Sequence, residues 1–464
     1  MSNVEISKDS KNTMITDFTE GNVTKKLILF ATPLFLSNFL QIVYNMVDMV
    51  VVGQVLGSAG LSAISIGGDI SNFLAFVVMG FSNAGQIIIS QYIGADQKEN
   101  VGKFIGTMFS FLISCALILT VVCLMIREHI LYWMNTPMES WNDALSYATT
   151  CIIGLVFVYG YNIVSAVLRG MGDSKHPFIF ISIAAVLNLV LDIWFVAGLH
   201  LGAFGAALAT IISQTVSFIS SIIFLYQRHA QFGFDFKLEN FRIDFEMLTT
   251  LVRLGVPMAI KSAAIHFSKL FVNSWINSYG VIVSAVAGIG NKLNSISNLI
   301  SNSINTAGSS MVGQNIGAEK YKRVPKIMIV SFAINLSIST LIVLALTTFP
   351  NEIFGIFASD TSILHVAMEY LPIAVLIFFG STFRSPMNAL INGSGNYKIN
   401  FAVAILDGIV LRIGLALLLG LACNMDYLGF WYGDALAGFT PFIIGLVYYF
   451  SGTWRTRKYV IKNN

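Results

Sequence analysis

Twelve long apolar runs leave this chain few ways to fold. Their approximate edges are 25–50, 59–90, 101–126, 141–168, 177–198, 203–227, 247–278, 282–312, 324–349, 361–391, 399–422 and 428–452. Hydrocarbon offers the backbone no water, so a spanning segment must satisfy its own N–H and C=O groups as a helix or inside a closed barrel. A barrel strand needs about ten residues of alternating character, whereas these runs reach or exceed the roughly 20 that a helix needs. The composition agrees: 55% of residues are hydrophobic and 11% charged, against about 25% charged in soluble domains, and the mean hydropathy is +0.74. The expected fold is all-α and integral to the membrane. Runs longer than the bilayer requires predict tilt, kinks or extension into water. Pro33 and Pro257, early in the first and seventh runs, are the expected bend points. Glycines in runs 2, 6 and 8 suit close helix packing.

Lys and Arg orient the chain. With the amino terminus inside, the inner loops hold Lys98 and Lys103, Arg169 and Lys175, Arg228, Lys237 and Arg242, Lys320, Lys322, Arg323 and Lys326, and Lys398. The outer loops offer only Arg127. This asymmetry puts both termini in the cytoplasm, and the net charge of +3 reflects those inner loops instead of a nucleic-acid surface. Residues 1–22 are polar and mixed in charge, unlike a cleaved signal peptide, so the first helix is expected to act as an anchor. Cys115, Cys123, Cys151 and Cys423 lie in or beside apolar runs without metal-ligand spacing and read as small hydrophobes.

An internal repeat sets the plan. S-Q-Y-I-G-A at Ser90–Ala95 returns as G-Q-N-I-G-A at Gly313–Ala318, and R-G-M-G-D-S-K at Arg169–Lys175 as N-G-S-G-N-Y-K at Asn392–Lys398. Gly57 closes the first run as Gly280 closes the seventh, and all three pairs are 223 residues apart. Six helices followed by six related ones keep the same orientation, so the halves are expected to be related by an axis along the membrane normal, a transporter design. The expected segments are a cytoplasmic tail at 1–24, an amino-terminal lobe at 25–228, a cytoplasmic linker at 229–246, a carboxy-terminal lobe at 247–452 and a second tail at 453–464. The Q-x-I-G-A pieces end long helices with glycine at the turn. The G-x-G pieces read as tight inner turns, since no strand precedes them as a phosphate-binding loop requires.

Charges inside the runs are the candidate functional groups, because burying one near the bilayer centre costs about 2.5–3.5 kcal/mol on insertion scales. Asp48 lies in Q-I-V-Y-N-M-V-D, with Gln41 and Asn45 on the same helical face. Such a stripe should face a cavity or another helix. It is either a hydrogen bond that fixes packing or an ion or proton site. Asp192, in L-N-L-V-L-D, has Asn188 one turn earlier, a pairing suited to a proton network or a small hard cation. The amino-terminal lobe has no intramembrane Lys or Arg to neutralise it. Asp69, in I-G-G-D-I-S-N, is either structural or near a cavity mouth. The last six runs differ: they carry Lys261, Lys269, Lys292, Arg384 and Arg412 with Asp407, Asp434 and Glu369. There structural ion pairs compete with a cationic pocket that contacts substrate. Asp407 and Arg412, five apart, are not expected to share a helical face well. A pocket lined by the abundant Phe, Met and Tyr would suit varied amphiphiles, although such stripes are usually core.

These residues resemble the multidrug and toxic compound extrusion (MATE) transporters over nearly the whole chain, from Leu27 to about Phe450. The resemblance rests on Pro33 with Y-N-M-V-D and V-V-G-Q-V-L-G, the paired Q-x-I-G-A motifs, L-R-G-M-G-D-S-K, N-L-V-L-D and G-A-F-G-A-A-L-A-T. It implies twelve transmembrane helices in two pseudo-symmetric six-helix lobes, V-shaped around a central cleft, with efflux coupled to inward Na+ or H+. It carries cation or proton coupling to Asp48, Asn188, Asp192 and Thr210, the first three as Na+ ligands should the ion be Na+. Gln41, Tyr147 and Asn162 then line the same cavity. Asn45, Asp69, Lys261, Lys292, Arg384 and Arg412 are further substrate-cavity candidates. The acidic residue that one branch carries in helix 7 for Na+ is not apparent, and Lys261 with hydrophobic neighbours occupies that region.

The resulting expectation is a secondary antiporter in the plasma (inner) membrane, exporting amphiphilic, often cationic, compounds by alternating access. Asp48 and Asp192 would load the ion from outside, and rocking of the lobes would release it to the cytoplasm. A membrane potential adds about 2.3 kcal/mol per charge per 100 mV. The expected partners are small amphiphiles and membrane lipid, with no nucleic acid, no cofactor beyond the coupling ion, and a monomeric chain. The rival transport reading is an exporter or flippase of an anionic or lipid-linked metabolite using Lys261, Lys292, Arg384 and Arg412. An enzyme is not expected, because the chain has no H-E-x-x-H, no G-x-S-x-G, and six scattered histidines.

Overall fold

In this computed structural model residues 15–232, 238–357 and 360–456 are described, and among them no strand occurs. The helices are α1 (Val23–Gly94), α2 (Lys98–Trp133), α3 (Trp141–Ile153), α4 (Leu155–Gly170), α5 (Lys175–Asp192), α6 (Gly202–Phe232), α7 (Phe245–Asn277) and α8 (Val281–Gly317). There follow α9 (Val324–Thr348), α10 (Pro350–Gly355), α11 (Thr361–Gly393), α12 (Tyr397–Ile405), α13 (Leu411–Leu417), α14 (Asp426–Ala437) and α15 (Thr440–Ser451). Short π-helical turns occupy Ile193–Gly198, Leu406–Val410 and Leu418–Ala422.

These elements account for the twelve expected runs. The 72-residue α1 holds two of them, broken at Gly57, whose φ of 66° and ψ of −160° are open to glycine and costly for other residues. The fourth run is α3 and α4, bent by 47° across Gly154. Helices α12 and α13 with two π turns form the eleventh, and α14 with α15 the twelfth. By length and apolarity nine helices among the described residues qualify as spans, or ten with the bent pair taken together. α8 is not among them, because its 37 residues are rich in Asn and Ser. Pro33 and Pro257 lie inside α1 and α7 without ending either helix. The sharp break sits at Gly57.

The repeat is visible in the backbone. Positive φ recurs at Gly57 and Gly280, Asp96 and Glu319, and Gly172 and Gly395, each pair 223 residues apart. Packing repeats as well. A Cβ at Gly170 would strike Gln86 O and Ile89, and one at Gly393 would strike Ser309 O and Val312. A Cβ at Gly67 would strike the Tyr147 ring, and one at Gly290 the Tyr370 ring. Every residue named there has its counterpart 223 positions on.

The chain divides into two compact units, one of Met1–Phe18 and Leu36–Leu251, the other of Thr19–Phe35 and Val252–Asn464. In the first, α5 packs on α6, while α3 and α4 pack against α6 and α2. The expected linker at 229–246 falls partly on 233–237, outside the described residues. Its end, Leu238–Phe241, lies on α2, where Ser110 Oγ donates to Phe241 O at 2.6 Å and Gly106 leaves room for Asn240 O. In the second unit, α11 packs along α8, α9, α14 and α15, and α13 against α14. Its core gathers Val286, Phe354, Ile373, Phe378 and Phe430.

Candidate functional site

Within the first unit, α1, α3 and α5 bring acidic and phenolic side chains into one cluster. Asp48 and Asp192 lie close enough for their charges to act on each other. Asp192 is fully buried, and neither of its oxygens meets a hydrogen-bond donor; Asp48 Oδ1 is likewise buried without one. An unsatisfied buried carboxylate is costly, and two facing each other more so. A shared proton or a small cation between them would relieve that cost. Asn188 donates to Thr210 Oγ1 at 3.4 Å, and Thr210 in turn donates to Ala206 O at 3.1 Å. This places an amide and a hydroxyl from α5 and α6 one turn below Asp192.

Tyr44, one turn before Asp48, and Tyr147 lie within electrostatic reach of both carboxyls. Cys151, one turn after Tyr147, is flanked by Ser71 and Tyr147 and senses Asp48. The sequence reading did not single out Tyr44, Ser71 or Cys151 for the site. The i, i+4 spacing of Tyr44 to Asp48 was the available signal; Cys151 and Ser71 gave none, since only the packing of α3 on α1 brings them there.

Other candidates lie elsewhere. Gln41 is half-buried and Asn45 exposed on the face of α1 that carries Asp48. Asn162 turns its amide back onto Val158 O at 2.8 Å. Asp69 is exposed. Among the described residues, no three His, Cys, Asp or Glu side chains gather as ligands of one metal ion.

The second unit holds the basic candidates. Arg412, only 2% exposed, donates from Nη2 to Asp407 Oδ1 at 2.8 Å and from Nη1 to Asp434 Oδ1. The expectation that Asp407 and Arg412 do not share a helical face well is corrected here. Asp407 is the second residue of the π turn Leu406–Val410, and a π turn bonds i to i+5, which brings residues five apart onto one side. Arg384 Nη2 donates to Asn298 Oδ1 at 2.8 Å, and Lys261 Nζ to Asn388 Oδ1 at 2.8 Å. Lys292 is exposed. Glu369 accepts from the Tyr427 hydroxyl at 2.6 Å.

Comparison with known proteins agrees with this architecture. The MatE family model matches twice, at residues 33–194 and 257–418, one match in each half of the repeat. The probable multidrug resistance protein YoeA of Bacillus subtilis is 27% identical over 447 residues, covering 95% of this chain and 96% of its own. YpnP of the same organism, also a probable multidrug resistance protein, is 33% identical over 312 residues, 66% of this chain and 68% of its own. A solved transporter of the MOP superfamily from Pyrococcus furiosus has the same fold, with a TM-score of 0.88 at 20% identity over 96% of this chain and all of its own. These relatives are transporters and not enzymes. With a duplicated helical unit and a match to the family model in each half, the chain belongs to the MATE family of multi-pass multidrug efflux transporters.

Proposed function

We propose that this chain is a secondary antiporter that exports amphiphilic compounds, cationic ones among them, in exchange for H+ or Na+ by alternating access. The observation that supports this most is the facing pair Asp48 and Asp192, with three of its four oxygens buried and unpartnered. In a chain that crosses the membrane, such a pair persists only if something repays it. Loading an ion does so, and exchange of that ion against substrate couples the two fluxes. In this reading Asn188 and Thr210 complete a polar lining that accepts either a proton network or Na+. The chain acts as a monomer in the plasma membrane, with both termini cytoplasmic as the basic inner loops favour.

The test is dye efflux from proteoliposomes under a pH gradient and a Na+ gradient imposed separately. One of the two should accelerate efflux of a cationic dye. Efflux indifferent to both would overturn the antiport reading.

A further inference from the structure

The repeat gives the two units the same frame and fills it with opposite charge. Gly67 against Tyr147 in the first unit corresponds to Gly290 against Tyr370 in the second. Beside Tyr147 lie the two carboxyls. Near Tyr370 opens a narrow cleft lined by Lys269, Asn273, Asn294, Trp431 and Asp434. It adjoins a second that shares Lys269, Asn294 and Asp434 and adds Arg384 and Arg412.

The charges there do not balance. Lys261, Lys269, Arg384 and Arg412 interact with one another and with only two acids, Asp407 and Asp434. Both acids are committed to Arg412. Lys269 has no hydrogen bond or ion pair to any described residue, and the charge acting on it most strongly is Asp434, already shared with Arg412. Arg384 uses one Nη2 hydrogen on Asn298, and its other donors have no partner among the described residues. Two positive charges are thus left over inside a membrane protein, where an uncompensated charge is costly. A cation is repelled from such a site and an anion drawn to it. Tyr370 and Trp431 stand edge to face at 5.0 Å and give the cleft an aromatic wall.

We propose that the cleft of the second unit is an anion receptor in which Lys269 and Arg384 hold the carboxylate or phosphate of an amphiphile whose apolar body lies against Tyr370 and Trp431. Arg412, locked between Asp407 and Asp434, shapes the site without binding. This adds an anionic class to the amphiphiles of the proposed exporter and rests on that reading for its role in transport. Binding is nevertheless measured without any gradient, so it can succeed or fail independently of the carboxyl pair.

The experiment uses the full chain in phosphatidylcholine nanodiscs and equilibrium dialysis of two probes, 1-naphthylacetate and its neutral counterpart 1-naphthylethanol, with empty nanodiscs subtracted. The carboxylate should bind at least about tenfold tighter than the alcohol. Lys269→Gln with Arg384→Gln should erase that preference while the alcohol still binds. Arg384→Lys should keep most of it. Equal affinity of the wild-type protein for both probes overturns the proposal without recourse to any variant, and so does an undiminished preference in the double variant. Replacing part of the lipid with phosphatidylglycerol identifies the anion's source. Displacement of 1-naphthylacetate means that an anionic headgroup occupies the receptor, and retention means that a soluble amphiphile does.

Discussion

Single glycines carry the hinge points of this chain. At Gly57 and Gly280 the backbone sits at φ 66° and 108° with ψ near extended, and no atom lies within 4 Å of where a Cβ would be. Any cost of a side chain there is backbone strain alone, of order 1–3 kcal/mol. Gly57→Ala should therefore lower the thermal stability of the purified protein. Gly68→Ala, at a helical glycine with equally open surroundings, should leave it unchanged or slightly raised. Equal effects at the two positions would remove the strain argument. Gly57 was legible in the sequence because its counterpart 223 residues on is also glycine. Asp48 and Asp192 were legible as isolated charges in apolar runs. Tyr44, Ser71 and Cys151 were not, since no local pattern records which helices meet.

At the scale of elements, the helix edges followed from apolar length, and the turns from glycine and basic residues. The departures from ideal helix did not. The π turn at Leu406–Val410 is what brings Asp407 onto Arg412, and a period change of one residue leaves no mark in hydropathy. It also has no counterpart in the first unit, whereas Leu418–Ala422 does, at Ile193–Gly198. Arg412, so placed, also pairs with Asp434 and ties α13 to α14. Removing one partner of a buried network leaves an uncompensated charge and costs about 3–5 kcal/mol. Arg412→Met should thus cause a large drop in the unfolding temperature, and adding Asp407→Asn should return part of it. A thermal profile for Arg412→Met that matches the wild type would mean that the network is not buried as described. Helix α8 is a second case: its Asn and Ser content hides it from an apolarity criterion, yet α11 packs along its length.

For the whole molecule, duplication with divergence is the organising fact. One backbone plan, matched twice by the same family model, carries an acidic cluster in one unit and a basic one in the other. The duplication was legible from three short motifs, while the assignment of charge pairs required the packing. The proposed coupling resides in the acidic cluster, and the measurement that tests it most directly is gradient-driven dye efflux by Asp192→Asn in proteoliposomes, read beside dye binding by the same purified variant. The expected result is insertion and binding like the wild type, with the response to an imposed pH or Na+ gradient reduced at least about tenfold, because the ion has lost one of its two carboxylates. A variant that still follows the gradient as the wild type does would contradict the assignment of coupling to Asp48 and Asp192.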